Sequence, residues 1–343
     1  MIPESDIAGH LTAARKKLTE LAPGLLRKHP AATYIREIKA SREWQRYYYI
    51  GPKLRKMMED ILSIHGLHVM ACYHKLALAS LIQDSMNGLK KKHFPEAVEG
   101  YYREWFSRVM KDFARLPDEY YDAENFSFLQ DLAVCGLRAI PVGGAWFVEI
   151  SRAKEWTENQ GRGEKGRDVP TRPSRMLLAK LNLRRFIVPL VYKWGFCELY
   201  YQVHTFARYM PRFTPEEMDK AYLAIAELLR KDRRIKGLFR RSWFLDPQLE
   251  KISPELVYLR KVPEQNGAEV FPCVTFQSAI DNALAFSPKR RKRHAEGKYT
   301  PACFAYVWPR KKLLEWEKKE AFSSPSVFLA KRKKGPGSSL SKP

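Results

Sequence analysis

Apolar residues recur at three- and four-residue spacing over residues 1–125, which is the period of helices with one buried face. The first run is Ile7 to Leu21, with Ser5 and Asp6 placed to cap it and Pro23-Gly24 to stop it. A second spans Ala31 to Tyr48 and ends ahead of Gly51-Pro52. A third starts at Pro52 and repeats Leu54, Met57, Met58, Ile61 and Leu62 until His65-Gly66 interrupts it. Leu67 to Met86 is apolar on most faces, as a buried helix is. Pro95 to Leu116 carries a wide aromatic stripe through Tyr101, Tyr102, Trp105, Phe106 and Phe113, and Asn125 is placed to cap a last helix to Leu137.

The pattern then changes. Ala145 to Ile150 is rich in β-branched and aromatic residues and reads as the first strand. Residues 153–172 hold three glycines and no apolar period, a long loop. Pro173 to Leu183 reads as a short helix, and Phe186 to Trp194 and Phe196 to Arg208 as two strands of a hairpin around Gly195. Thr214-Pro215-Glu216-Glu217 is a capping box, with Phe213 and Met218 as its hydrophobic staple. It opens a helix that Lys231-Asp-Arg-Arg closes with charge suited to the negative dipole end. Ile235 to Leu245, Val270 to Thr275 and Cys303 to Trp308 read as strands; Gln277 to Ala285, Lys289 to Glu296 and Pro309 to Glu320 read as helices. Asp246-Pro247, Ser253-Pro254 and Ser287-Pro288 each read as a cap and first helical residue.

This order predicts an α+β fold: an N-terminal helical region, 1–137, followed by a mixed β-sheet flanked by helices, 140–320. The flexible loop at 153–172 interrupts the second region, and 321–343 reads as a basic, disordered tail. The stretch from Thr214 to Leu259 is the βαβ-like centre of the sheet region.

Composition adds the sign of the partner. With 45% hydrophobic and 13% aromatic residues the chain can build a large core, and with 61 Lys+Arg against 38 Asp+Glu it carries a net charge of +23. The tail supplies only five of these cations, so the excess belongs to the folded part. Such a surface attracts nucleic acid, anionic lipid heads or phosphorylated ligands. Five scattered cysteines without a C-x-x-C pair read as reduced, buried thiols, and with no signal-peptide pattern the expected location is cytoplasmic. No run is long and apolar enough for a membrane span.

The densest electrostatic feature is Lys289, Arg290, Arg291, Lys292 and Arg293, where phosphate contacts would make binding salt-sensitive. Arg240 and Arg241 beside Trp243, at a strand end pointing toward Asp246, suit phosphate or base contact; they equally suit the flank of a sheet. Glu198 and His204 alternate onto one polar-aromatic strand face with Tyr200. That face is a candidate general-base site or an ordinary solvated one, and Asp246 is a third catalytic candidate. His65, His68 and Cys72 share a helix face if Gly66 leaves the helix intact, but His74 lies on another face and no fourth ligand is marked. No metal or cofactor is therefore assigned. P-loop, dinucleotide-fold, nucleophile-elbow and H-E-x-x-H motifs are absent from the sequence.

The order strand, capped helix, strand, short helix, strand over Phe196 to Thr275 loosely resembles the core of acyl-CoA N-acyltransferases. Their R/Q-x-x-G-x-G/A loop falls where this chain reads Phe244-Leu245-Asp246-Pro247, without glycine, so no family residue carries over. Three functions follow as expectations. The first is a cytoplasmic nucleic-acid-binding protein using the Lys/Arg-rich surfaces. The second is a transferase with a phosphate-bearing cosubstrate, using Glu198, Tyr200 and His204. The third is an adaptor binding a protein partner through residues 1–125.

Overall fold

A computed structural model describes residues 4–40, 51–122, 125–153, 193–195, 197–206, 213–285 and 287–323. Loop 153–172 beyond Ala153, helix Pro173 to Leu183, most of the strand from Phe186, Arg208 and the tail from residue 324 lie outside these residues.

The N-terminal region is helical: α1 Glu4–Leu21, α2 Leu25–Lys28, α3 Ala31–Lys39, α4 Pro52–Lys92, α5 Glu96–Asp112 and α6 Phe126–Cys135, with a 3-10 turn at Asp118–Tyr121. Two expected helices join across Gly66 into α4. The kink sits at Gly66 itself (φ 78°, ψ 173°), a conformation open to glycine and strained for other residues. Met70 to Ile82 of α4 is buried almost throughout, as its all-round apolarity predicts. The aromatic stripe of α5 turns inward: Tyr102, Trp105, Phe106, Val109 and Met110 are all buried. A buried carboxylate ties α5 to α6, since Asp131 accepts from Trp105 Nε1 (2.9 Å), Arg108 Nη2 (3.1 Å) and the Tyr120 hydroxyl (2.6 Å). That set of donors satisfies a charge whose burial would otherwise be costly. Asn125 caps α6 by accepting from the Ser127 and Phe128 amides.

Six strands follow: β1 Ile140–Gly143, β2 Trp146–Arg152, β3 Leu199–Thr205, β4 Ile235–Ser242, β5 Glu269–Pro272 and β6 Phe304–Pro309, in the order β1-β2-β3-β4-β6-β5. Helices α7 Pro215–Lys231, α8 Leu249–Ile252, α9 Tyr258–Gln265, α10 Gln277–Ala285, α11 Pro288–Ala295 and α12 Arg310–Ser323 connect or flank them. Among the described residues only β3 and β4 run parallel, and α7 is their crossover, so the sheet is mixed and the βαβ centre is present. Three details depart from the sequence pattern. Ile140-Pro-Val-Gly is strand β1 rather than a turn, Lys193 and Trp194 form a helical turn rather than a strand end, and β3 pairs antiparallel with β2. Helix α9, which contains Pro263 and buries Leu259 and Pro263 on one face, follows the short turn that begins at Pro254 and is an addition to the expected elements.

One apolar core runs without a break from Ile7 to Trp316 and includes both the helical region and one sheet face. Met218, Tyr222 and Ile225 of α7 enter it beside Leu238, Trp308 and Trp316. The other sheet face holds a smaller cluster of Tyr200, Phe239, Phe271, Ala305 and Val307.

At Gly237 the backbone of β4 lies tight against β6. A Cβ there would lie 2.3 Å from the Trp308 carbonyl oxygen, a backbone atom with little room to move. Gly237→Ala is expected to lower unfolding stability by about 2–3 kcal/mol, whereas Gly100→Ala, inside helix α5 and meeting nothing within 4 Å, is expected to raise it by about 0.5–1 kcal/mol and serves as the control of opposite sign. Denaturant titration of both checks this.

Candidate polyanion-binding cleft

The sequence-predicted residues divide into three groups. Arg240 is buried (1% exposed) against the α7 side of the sheet. Its guanidinium lies 4.7 Å from the Trp146 ring, donates to Thr205 Oγ1 (3.2 Å) and approaches Met218 Sδ (3.9 Å). Arg290 is also buried: it donates to the Ala283 carbonyl (2.6 Å) and Ser253 Oγ (2.9 Å) and covers the Trp243 ring. Trp243 itself is buried and stacked on Phe244. Arg291 donates to the Leu284 and Ala285 carbonyls, closing the C-terminus of α10. These side chains have structural partners; Lys289 and Lys292 are exposed and Arg293 half-buried.

The second group is the catalytic set, and it is spread out. Asp246 is buried and accepts from the amides of Gln248 (2.9 Å) and Ala302 (3.1 Å), so it fastens the chain after β4 to the approach of β6. Burial lifts its carboxyl above the usual range, against those amide bonds. Glu198 lies before β3, near Lys236, and Tyr200 donates to the Trp194 carbonyl. His204 lies near the far end of β3, roughly 20 Å from Glu198 at about 3.3 Å per residue. Its Nε2 is 2.8 Å from Glu149, a buried carboxylate on β2, and its ring stacks on Phe147. The third group is the histidine cluster. His68 pairs with Asp118, and His74 is buried on Phe128 with Nδ1 donating to the Tyr121 carbonyl (2.5 Å). No group of three or more metal-ligating side chains gathers among the described residues.

The concave basic feature lies at the opposite end of the sheet, and no single run of sequence marks it. A cleft of about 850 Å³ opens where β3 and β4 begin. Lys39 at the end of α3 and Lys91 and Lys92 in the last turn of α4 form one wall. Lys231 from the last turn of α7 and Arg234 from the following turn form the other, and Arg138 closes the back. Phe94, Ile140, Ile150, Tyr201 and Leu228 supply apolar floor. Asp232 is the only acidic lining residue among the described residues. It is already engaged by Arg234, whose Nε and Nη2 donate to its carboxylate at 3.0 and 2.8 Å and hold its pKa below the usual range. Burial, then the like charge of Lys92, pushes Lys39 below its ordinary pKa although it pairs with Asp84. The cations crowd one another.

Two backbone observations coincide with the cleft. His93 (φ 47°) and Leu137 (φ 56°) are the non-glycine residues with positive φ among those described, and both line it. Leu137 sits where a helix-ending motif takes a left-handed residue: its amide reaches the Val134 carbonyl (3.0 Å), and that of Arg138 reaches Ala133 (2.9 Å). Glycine is the common residue there; leucine adds strain and an apolar side chain. His93 ends α4 in the same conformation, and its carbonyl accepts from Lys231 Nζ, joining the two walls. Lys90 to His93 and Lys231 to Arg234 are visible in the sequence as basic helix ends. Dipole complementarity alone accounts for each separately; only the tertiary fold brings them together.

No protein-family model, curated protein or solved structure matches the chain.

His74 yields a prediction independent of ligand. Burial lowers its pKa to about 4 from 6.5, and its Nε2 has no hydrogen-bond partner among the described residues. The unfolded chain therefore binds a proton at a pH where the folded chain does not. Stability is full above pH 6.5 and falls toward pH 4 with a slope of about 1.4 kcal/mol per unit from this residue. Urea titrations across that window should show this slope reduced by about one proton in His74→Gln.

Proposed function

We propose that the protein binds single-stranded nucleic acid, and that the cleft at the amino ends of β3 and β4 holds its phosphates. The observation that carries this reading is the gathering of six cationic side chains from four segments around one concavity whose one lining carboxylate among the described residues is already paired. A concave cationic groove with the partly exposed Phe94 in its lining suits a backbone that threads through while a base meets that aromatic surface. The volume lies in the range of sites that enclose one or two nucleotide-sized groups. Lys289 and Lys292 provide a secondary, open contact on α11.

The transferase reading lacks a gathered site, since Glu198 and His204 stand at opposite ends of β3. The adaptor reading loses the aromatic stripe of α5 as a free surface, because most of that stripe is buried.

Binding of a fluorescent single-stranded oligonucleotide should weaken with salt, with a log–log slope of roughly −0.7 per phosphate contacted. Lys91→Ala combined with Lys92→Ala should reduce that slope by about 1.4 and affinity severalfold, while Lys289→Ala with Lys292→Ala changes it less. Binding that is insensitive to salt, or absent at low salt, would overturn the reading.

A further inference from the structure

Cys273 and Cys303 occupy directly opposed positions where β5 and β6 meet. The β5–β6 register pairs Pro272 with Phe304, and the next residues continue it, with the Cys273 amide donating to the Cys303 carbonyl at 3.0 Å. Opposed residues of an antiparallel pair have Cα atoms about 5.5 Å apart, inside the roughly 4.4–6.8 Å that a disulfide spans. Directly opposed side chains of an antiparallel pair lie on the same face of the sheet. Cys273 is partly exposed and Cys303 buried, and both are free thiols.

The surroundings distinguish the two sulfurs. Arg241, on β4 beside β6, contributes positive charge to both, with its guanidinium 5.5 Å from the Phe276 ring. Thr275 Oγ1 accepts from the Cys303 amide (2.7 Å), and its hydroxyl also reaches the Cys303 sulfur. The adjacent Cys273 holds the Cys303 thiol below its usual range against its own burial, and burial raises Cys273. Because the two positions are directly opposed, whichever sulfur is oxidised first has the other beside it to resolve it.

We propose that Cys273 and Cys303 are a redox modification site that a hydroperoxide converts to a reversible disulfide. The thiolate of one cysteine attacks the terminal peroxide oxygen; the O–O bond breaks, that cysteine becomes a sulfenic acid, and the departing hydroxide or alkoxide takes a proton from solvent. The second sulfur then attacks the first. The S–S bond forms, the S–O bond breaks, and a water leaves with the second thiol's proton. Two sulfurs lose one electron each, and the peroxide gains both. A thiol reductant reverses the step. The bridge closes the base of the excursion that carries α10 and the basic helix α11, so oxidation would fasten the segment bearing Lys289 and Lys292. This site is independent of the cleft and stands without it.

The test uses the intact folded protein. It is treated with hydrogen peroxide, alkylated in denaturant and mapped by peptide mass. The expected result is a Cys273–Cys303 linked peptide, lighter by two hydrogens and restored by reductant. In Cys273→Ser, a 1,3-dione should label Cys303. In Arg241→Gln, the pH midpoint of oxidation should move upward while the product stays the same, a change that a merely structural role would not produce. Recovery of both cysteines as free thiols, under peroxide that oxidises the exposed Cys197, overturns the proposal. So does a dione label on Cys303 no stronger than on Cys197.

Discussion

The parallel pairing of β3 with β4 is the constraint on which the rest of the molecule depends. Parallel neighbours need a crossover, and α7 supplies it across the face that joins the main core. Because the strands run the same way, both begin at one end of the sheet and both finish at the other. The C-terminus of α7 must return to the starting end before β4 enters. Lys231 and Arg234 are carried there by connectivity and meet the end of α4. The finishing end receives His204 and Arg241 on adjacent strands, with the cysteine pair beyond Arg241. The two polar regions are consequences of one topological choice.

Buried cations mark where charge has a structural use. Arg240 and Arg290 each cover a tryptophan face and donate to hydroxyl or carbonyl oxygens, and Arg108 does the same with Trp105 and Asp131. Arginine suits this because its guanidinium is planar and weakly hydrated, so it packs on rings while its edge donates. A net charge of +23 therefore overstates the surface available to a polyanion. What is left for one is charge that is both accessible and concave, and the cleft supplies it.

Much of the fold could be read from local signals. Thr214, Asn125 and Ser287 act as caps at their expected positions, each accepting the expected amides, and α10 spans its predicted residues. These depend on a few neighbouring residues, so sequence suffices. Strand β1 was hidden because Pro141 and two nearby glycines imitate a turn, while pairing with β2 holds the segment extended. The partner of His204 was hidden because Glu149 lies on another strand; alternation gives a face but not a neighbour. The cleft was hidden for the same reason, since Lys39, Lys92, Arg138 and Lys231 are far apart in sequence. The run Lys289 to Arg293 divides in the fold, since density of charge does not reveal that Arg290 is buried and Arg291 closes a helix.

Lysine reactivity is the most direct measure of where a polyanion sits. Acetylation rates of individual lysines can be followed by mass spectrometry with and without a bound single-stranded oligonucleotide at low salt. The account predicts protection at Lys91, Lys92 and Lys231, with Lys289 and Lys292 protected far less. Protection confined to Lys289 and Lys292, or no protection of the cleft lysines while the oligonucleotide is bound, would contradict it.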